Sequence, residues 1–443
     1  MAWYNTDNLE LLYAPHKRDW RAEAFKKIKK VAIDVAKRSA VFRKASRRFL
    51  LDERMGGYQK RTAHIVTDPK VVLFSTFDGR GYSDSPKAIY EYMCSDPRFA
   101  DYTFVWAFRE PKKFTYVLDH SNTYMVTVNT PAYEEACARA KYWFFNYRIA
   151  DHIYPKDDQV YVQLWHGTPL KRLGYDISIS DNAMNSKEEI RQKYKVDAEK
   201  FKYILAPSAF AAEKFISAWN LQAVGKADTV LEAGYPRNDF LINHEAQIKR
   251  ELGLPMDKKV ILYAPTWRDN QHDAKLGYVY RTHMDFDALR REFGDDYVIL
   301  FRAHYLVANS FDFKKYKGFV YDACGVTDIN RLYVVADVLI TDYSSVFFDY
   351  ANLHRPMLFY MYDLASYAGE IRGFYIDLDC LPGPIVETQA DLHRALHAVG
   401  ADKSRYAEKY AAFNARFNYL DDGHAAQRVV ERVVLDRDGA DVV

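Results

Sequence analysis

The sequence predicts an α/β protein built from two successive parallel sheets. Three observations lead there. Short apolar runs rich in β-branched and aromatic residues alternate with stretches of helical periodicity, the alternation restarts once midway along the chain, and several runs end in reactive polar side chains. In the first set Val71–Phe74, Thr103–Trp106, Tyr124–Val128, Tyr142–Phe145, Val160–Leu164 and Tyr203–Leu205 read as strands. Ser85–Cys94, Pro131–Arg139 and Ser208–Trp219 read as the helices between them. Near-continuous apolar strands joined by helices of about ten residues are the mark of βαβ units, covered on both faces.

The pattern then breaks at Gly234-Tyr235-Pro236-Arg237-Asn238-Asp239 and begins again. Glu245–Leu252 reads as a helix, and Lys259–Tyr263, Tyr297–Phe301, Asp337–Thr341 and Met357–Tyr360 as a second set of buried strands. Two Rossmann-like halves facing across a cleft, a GT-B-like arrangement, are the expectation. A basic helical segment over 1–62 would end in a loop around Met55-Gly56-Gly57, followed by domains over 63–238 and 239–443. The end of the chain, Lys403–Leu435, reads as helical with a break at Asp421-Asp422-Gly423.

Composition narrows the class. The chain has 443 residues, 49% of them hydrophobic and 16% aromatic, so it has ample core for two domains. Its four cysteines, Cys94, Cys137, Cys324 and Cys380, form no CxxC pair, which favours a reducing compartment over a disulfide scaffold or a zinc site. No apolar run reaches the ~18 residues of a membrane span, and no signal-peptide core opens the chain; a cytoplasmic protein, soluble or peripheral, is expected. Between Lys17 and Arg48 thirteen Lys/Arg stand against Asp19, Glu23 and Asp34, a local net of +10 in a chain of net charge +2. Trp20, Ala24, Ile28, Val31, Val35, Phe42 and Phe49 recur there mostly at helical intervals. Lys26, Lys27, Lys29, Lys30, Arg47 and Arg48 would then face an anionic membrane, each gaining ~1 kcal/mol near its surface. Nucleic acid is not an expected partner, since no RNP, helix-turn-helix or zinc-finger pattern accompanies the charge.

Four strand ends carry chemistry. Trp165-His166-Gly167-Thr168-Pro169-Leu170-Lys171 follows the strand Val160–Leu164 and puts a histidine where open α/β sheets hold ligands. Thr266, Trp267 and Arg268 leave the strand ending at Tyr263, and Arg302 and His304 leave the one ending at Phe301. Thr341-Asp342-Tyr343-Ser344-Ser345 precedes a helix over Val346–Leu353, so hydroxyls and unpaired backbone N–H groups offer an anion site; ordinary N-capping is the bland alternative. No GxGxxG or P-loop string occurs, which argues against NAD enzymes and P-loop NTPases. Asp285-Phe286-Asp287 and Asp377-Leu378-Asp379 are DxD strings, but the first reads as a helix cap and the second lacks a third ligand, so neither a metal nor another cofactor is expected.

Taken together, WHGTPLK at 165–171, GYPRND at 234–239, YAPTWRD at 263–269, Arg302 with His304, TDYSSVFFDY at 341–350, RPMLFY at 355–360 and RGFYIDLDCLPGP at 372–384 resemble the CDP-glycerol glycerophosphotransferases, the teichoic-acid primases and polymerases. The resemblance implies transfer of an alditol phosphate from CDP-glycerol, or CDP-ribitol, to a polyprenyl-diphosphate-linked wall or capsule polymer, with release of CMP. It implies His166 and His304 as catalytic residues, and Ser344, Ser345, Arg302 and Thr341 around the donor diphosphate. Thr266, Trp267, Arg268 and Arg372 would lie near the nucleotide, and Gly167, Thr168 and Lys171 on the acceptor side. Tyr305 stands where the family usually has proline, and His424 where a smaller or polar residue is usual. A GT-B glycosyltransferase using a nucleotide sugar and a catalytically silent membrane scaffold are the competing readings; homo-oligomerisation stays open.

Overall fold

The computed structural model describes residues 3–13, 40–120, 122–177, 186–241, 245–266, 272–273, 277–278, 283–302, 311–365, 373–399 and 405–435. The chain divides into two compact units. The first comprises Met1–Gly81, Met93–Gln163 and Lys200–Lys202; the second comprises Tyr82–Tyr92, Leu164–Glu199 and Tyr203–Val443.

In the first unit β1 (Asp68–Ser75), β2 (Thr103–Phe108), β3 (Thr123–Thr127), β4 (Ala140–Phe145) and β5 (Val160–Gln163) lie in the order β3-β2-β1-β4-β5. Every pair among them is parallel, with Val72 opposite Phe104 and Leu73 opposite Trp143. Val72, Leu73, Phe74, Val105, Trp106, Trp143 and Phe144 are wholly buried, as strands covered on both faces must be. Phe74 stacks between Trp106 and Phe144 at centroid distances of 5.3 and 5.7 Å. The helix Pro131–Arg139 is capped by the Thr130 hydroxyl and opens on Pro131, both signals legible in the sequence.

The expected loop at Gly56-Gly57 is instead helix: Ala40–Thr62 runs straight through both glycines. Each glycine costs a helix about 1 kcal/mol, which tertiary contacts outweigh here. Tyr58 is buried with its ring edge against His152, and Arg61 Nε and Nη2 donate to Glu134 on the neighbouring helix at 2.6 and 2.9 Å. Lys26, Lys27, Lys29 and Lys30 lie outside the described residues; Arg47 and Arg48 fall on this helix, and Arg48 is exposed. No described helix is long and apolar enough to cross a membrane.

In the second unit β6 (Tyr203–Ala206) pairs parallel with β7 (Val230–Glu232), and β8 (Lys259–Ala264) begins the other sheet. A small antiparallel pair, β9 (His272–Asp273) and β10 (Gly277–Tyr278), follows. Then come β11 (Tyr297–Phe301), β12 (Val320–Asp322), β13 (Val338–Thr341), β14 (Met357–Tyr360) and β15 (Ile385–Val386). The six-stranded sheet is parallel throughout, in the order β12-β11-β8-β13-β14-β15. The chain leaves β8 for β11 on one side and returns to β13 on the other. The loops after β8 and β13 therefore diverge, and their carboxyl ends form the crevice where such sheets bind ligands. The helices Ala407–Phe417 and Ala425–Val433 close the chain, separated by the expected break at Asp421–Gly423.

Candidate active site

The loops after β8 and β13 are tied together by side chains the sequence had marked. Thr341 Oγ1 donates to the Ala264 carbonyl at 2.7 Å, and the Thr266 amide donates to Asp342 Oδ1 at 2.8 Å. The same Asp342 oxygen accepts from the Tyr343 amide at 2.6 Å, which fixes the turn. Thr341 is wholly buried, and its hydroxyl braces the loop through that bond. Ser344 and Ser345 are half-buried just beyond the turn. Ser345 occupies the cap position of the helix Val346–Tyr350 without making a side-chain cap bond. The hydroxyl is thus not engaged in the capping that the bland reading required.

His166 reaches this place from the end of β5. Trp165 holds a left-handed φ of +49°, unusual for a bulky residue. Its indole packs edge-on against Trp219, with centroids 4.8 Å apart, and against Phe215. That aromatic contact holds the strained backbone, as recurs at functional sites, and leaves His166 half-buried beside the indole. The next residue shows what lies opposite: a Cβ placed on Gly167 would meet Ser345 Oγ at 3.0 Å. The histidine loop and the serine loop are therefore in contact. Gly167→Ala is expected to displace Ser345 and raise the donor KM by about 3–10-fold with unchanged thermal stability, read by steady-state kinetics and a melting curve.

A third segment completes the arrangement. Lys171 bridges Phe374 in antiparallel fashion, Tyr375 N donates to Leu170 O at 2.8 Å, and Arg172 N donates to Gly373 O at 3.0 Å. Tyr375 Oη donates to Asp176 at 2.5 Å and accepts from the Leu173 amide at 3.1 Å. Tyr343 stacks on Phe374 at 5.9 Å, so the segment touches the β13 loop as well. Thr168 is buried within this ladder and Lys171 is half-buried.

Beneath the serine loop sits a buried ion cluster. Arg237 Nη1 donates to Asp84 at 3.1 Å, and Nη2 to both oxygens of Asp349 at 3.0 Å. Asp349 lies on the helix that Ser345 begins. Asn238 donates to Asp349 at 3.1 Å and to Asp421 at 2.6 Å, and the Tyr235 ring lies 4.1 Å from the guanidinium. Burial opposes the Arg237 charge, but Asp349 and Asp84 outweigh it and hold the guanidinium ionised. Burial pushes Asp421 up to about 6. Gly234, at φ +79°, lets this turn pass so close to Leu420 that a Cβ would meet its carbonyl oxygen at 2.4 Å.

Comparison with known proteins identifies the group. Residues 58–435 match the family model described as CDP-Glycerol:Poly(glycerophosphate) glycerophosphotransferase. The chain belongs to that family. It is 38% identical over 375 residues to the teichoic acid glycerol-phosphate transferase of Staphylococcus aureus, covering 83% of this chain and 94% of that one. It is 37% identical over 391 residues to the teichoic acid poly(glycerol phosphate) polymerase of Staphylococcus epidermidis, and this match covers 85% of the chain but only 53% of that longer protein. The chain thus spans about half the length of that polymerase. The solved wall teichoic acid polymerase TagF superposes with a TM-score of 0.78 at 35% identity, over 89% of this chain and 97% of that one. A histidine-to-asparagine variant of TagF soaked with CDPG matches equally well, at 0.78. The fold is accordingly GT-B-like.

Among the family motifs, those around His166, Thr266, Thr341–Ser345 and Phe374 are brought together. Arg302 leaves β11 with Nη1 engaged by the carbonyls of Ala323, Cys324 and Val326 at 2.7, 2.8 and 2.5 Å, an arrangement that braces the loop after β12. Burial lowers its pKa. His304, Trp267, Arg268 and Arg372 lie outside the described residues. Asp285 caps the helix Phe286–Phe293, Asp287 pairs with Lys315, and Asp377 caps a short 3-10 turn. Sequence reasoning had taken Arg237 for interdomain punctuation and had not singled out Asp84, Asp349 or Tyr375. An arginine inside a Gly-Tyr-Pro turn flanked by apolar residues was the available signal.

Proposed function

We propose that this chain transfers glycerol phosphate from CDP-glycerol to a hydroxyl of a lipid-linked polymer at the inner face of the membrane. The observation that carries the reading is the contact between the histidine loop and the serine loop, at Gly167 and Ser345. It brings the loop that carries His166 against the loop that carries Ser344 and Ser345, after a strand at the sheet's switch point. Both glycerol-phosphate relatives favour glycerol over ribitol as the alditol.

In this mechanism His166 takes the proton from the acceptor hydroxyl as its oxygen forms a bond to the β-phosphorus. The bond from that phosphorus to the bridging oxygen breaks, and CMP leaves with the electron pair. Phosphoryl transfer asks the protein mainly for position and charge stabilisation. Ser344, Ser345 and the backbone N–H groups after Tyr343 would hold the diphosphate, with His304 assisting. The basic residues from Lys26 to Arg48 would keep the enzyme at the surface where a polyprenyl-linked acceptor resides.

The test is CMP release with CDP-glycerol, CDP-ribitol and UDP-sugars against a lipid-linked acceptor analogue, with the product sized. CMP release from CDP-glycerol alone supports the reading; turnover of a UDP-sugar overturns it. Because the donor set is built from side chains and backbone amides, turnover is expected to persist in EDTA. A loss that Mg²⁺ restores would show that a cation does part of this work.

A further inference from the structure

The first unit holds a cavity of its own. It has a volume of about 450 Å³ and is lined by Arg54, Arg61, Asn129, Tyr133, Glu134, His152 and Ile153. Helical geometry explains why two arginines meet there. Arg54, Tyr58 and Arg61 stand at i, i+4 and i+7 and share one face of the helix Ala40–Thr62. Tyr58 is 6% exposed and its ring edge contacts His152, so this face is turned towards the cavity.

The charges do not balance. Glu134 is the one carboxylate in the lining, and Arg61 binds it through two nitrogens. Arg54 remains, while Lys200, outside the lining, donates to the carbonyls of Ala150 and Asp151 and acts on His152 only through space. With His152 neutral, two cations in the lining stand against one carboxylate. The imidazole records the excess: burial lowers its pKa, Glu134 opposes that, and Arg54, Lys200 and Arg61 each lower it further. A neighbouring cavity of about 540 Å³ shares Arg61 and Glu134 but sets Arg61 and Arg139 against Glu134 and Glu135, and so has no such excess.

We propose that the cavity bounded by Arg54, Arg61 and His152 binds a glycerol phosphodiester. The choice of that anion, over other phosphates, rests on the transferase reading above. Arg54 and Arg61 Nη1, which Glu134 does not engage, would take the two non-bridging oxygens, and Asn129 flanks the space for the glycerol hydroxyls. The group occurs both in the headgroup of an anionic glycerophospholipid and in soluble glycerol phosphodiesters.

The probe is glycerophosphoglycerol, titrated calorimetrically into the full chain with CMP present to fill the donor site. Wild type is expected to bind it, and Arg54→Gln to bind about tenfold more weakly with unchanged affinity for CMP. Arg54 is exposed, so this variant should fold, as a melting curve will show. Bound anion favours protonated His152, whose pKa burial holds below the usual value of about 6.5, so affinity should rise as pH falls from about 7 to about 5, and His152→Gln should flatten that dependence. The diester itself does not titrate in this range. Vesicles of phosphatidylglycerol and of phosphatidylcholine separate the sources. If Arg54→Gln weakens flotation with phosphatidylglycerol and glycerophosphoglycerol competes, the ligand is a headgroup; if only calorimetric binding falls, it is a soluble diester. Equal binding by wild type, Arg54→Gln and His152→Gln, or no binding by wild type, overturns the site. The readout involves no turnover, so failure here is distinct from failure of the CMP-release assay.

Discussion

Alanine in place of His166 is expected to lower kcat by about 10²–10⁴-fold while CDP-glycerol still binds. The imidazole sits on a loop whose shape is held by its neighbours: Trp165 against Trp219, and the ladder from Leu170 to Tyr375. Truncating the histidine should therefore remove a proton acceptor without moving Ser344 or Ser345. Isothermal titration with donor in the absence of acceptor, set beside single-turnover CMP release, separates the two effects. If donor affinity collapses and bound donor still turns over at the wild-type rate, His166 positions substrate and is not the base.

Arg237→Met should destabilise the fold by about 3–5 kcal/mol, because it leaves Asp84 and Asp349 facing each other with no cation between them. The side chain of Arg237 is 3% exposed and those of its partners 9% and 8%, so water cannot take its place. Arg237→Lys keeps a charge but cannot bridge two carboxylates with a planar fork, and an intermediate loss is expected. Urea unfolding followed by tryptophan fluorescence measures both. Adding Asp349→Leu to Arg237→Met should recover part of the loss, since an unpaired charge is then gone. A double variant no more stable than the single one would mean that Asp349 is protonated once its partner is removed.

The legible part of the fold was the part with strong periodicity. The buried strands at Val71, Thr103, Tyr142, Lys259, Tyr297 and Met357 announce themselves because strands covered on both faces admit few polar residues. β7, β12 and β15 are two or three residues long, too short for any period to register. The helix Lys187–Lys200 was missed because its sequence is almost wholly polar. The two glycines at 56 and 57 misled because their cost is met by Tyr58 and Arg61, whose partners lie some 70 or more residues away. At the site, His166, Thr266 and Ser344-Ser345 were legible as reactive groups at strand ends. Arg237 was not, since a buried arginine needs two carboxylates that adjacent sequence does not reveal. Thr341 and Arg302, expected near the donor diphosphate, also engage main-chain carbonyls, which the sequence did not announce. A polar side chain at a strand end can face a ligand or brace a loop, and only the third dimension separates the two.

The short ladder joining Leu170–Leu173 to Gly373–Tyr375 spans about 200 residues of chain. Contacts of such long range form late, because the loop they close must first lose its conformational freedom. A nascent polypeptide emerging from the ribosome would carry His166 long before Tyr375 exists to brace its loop.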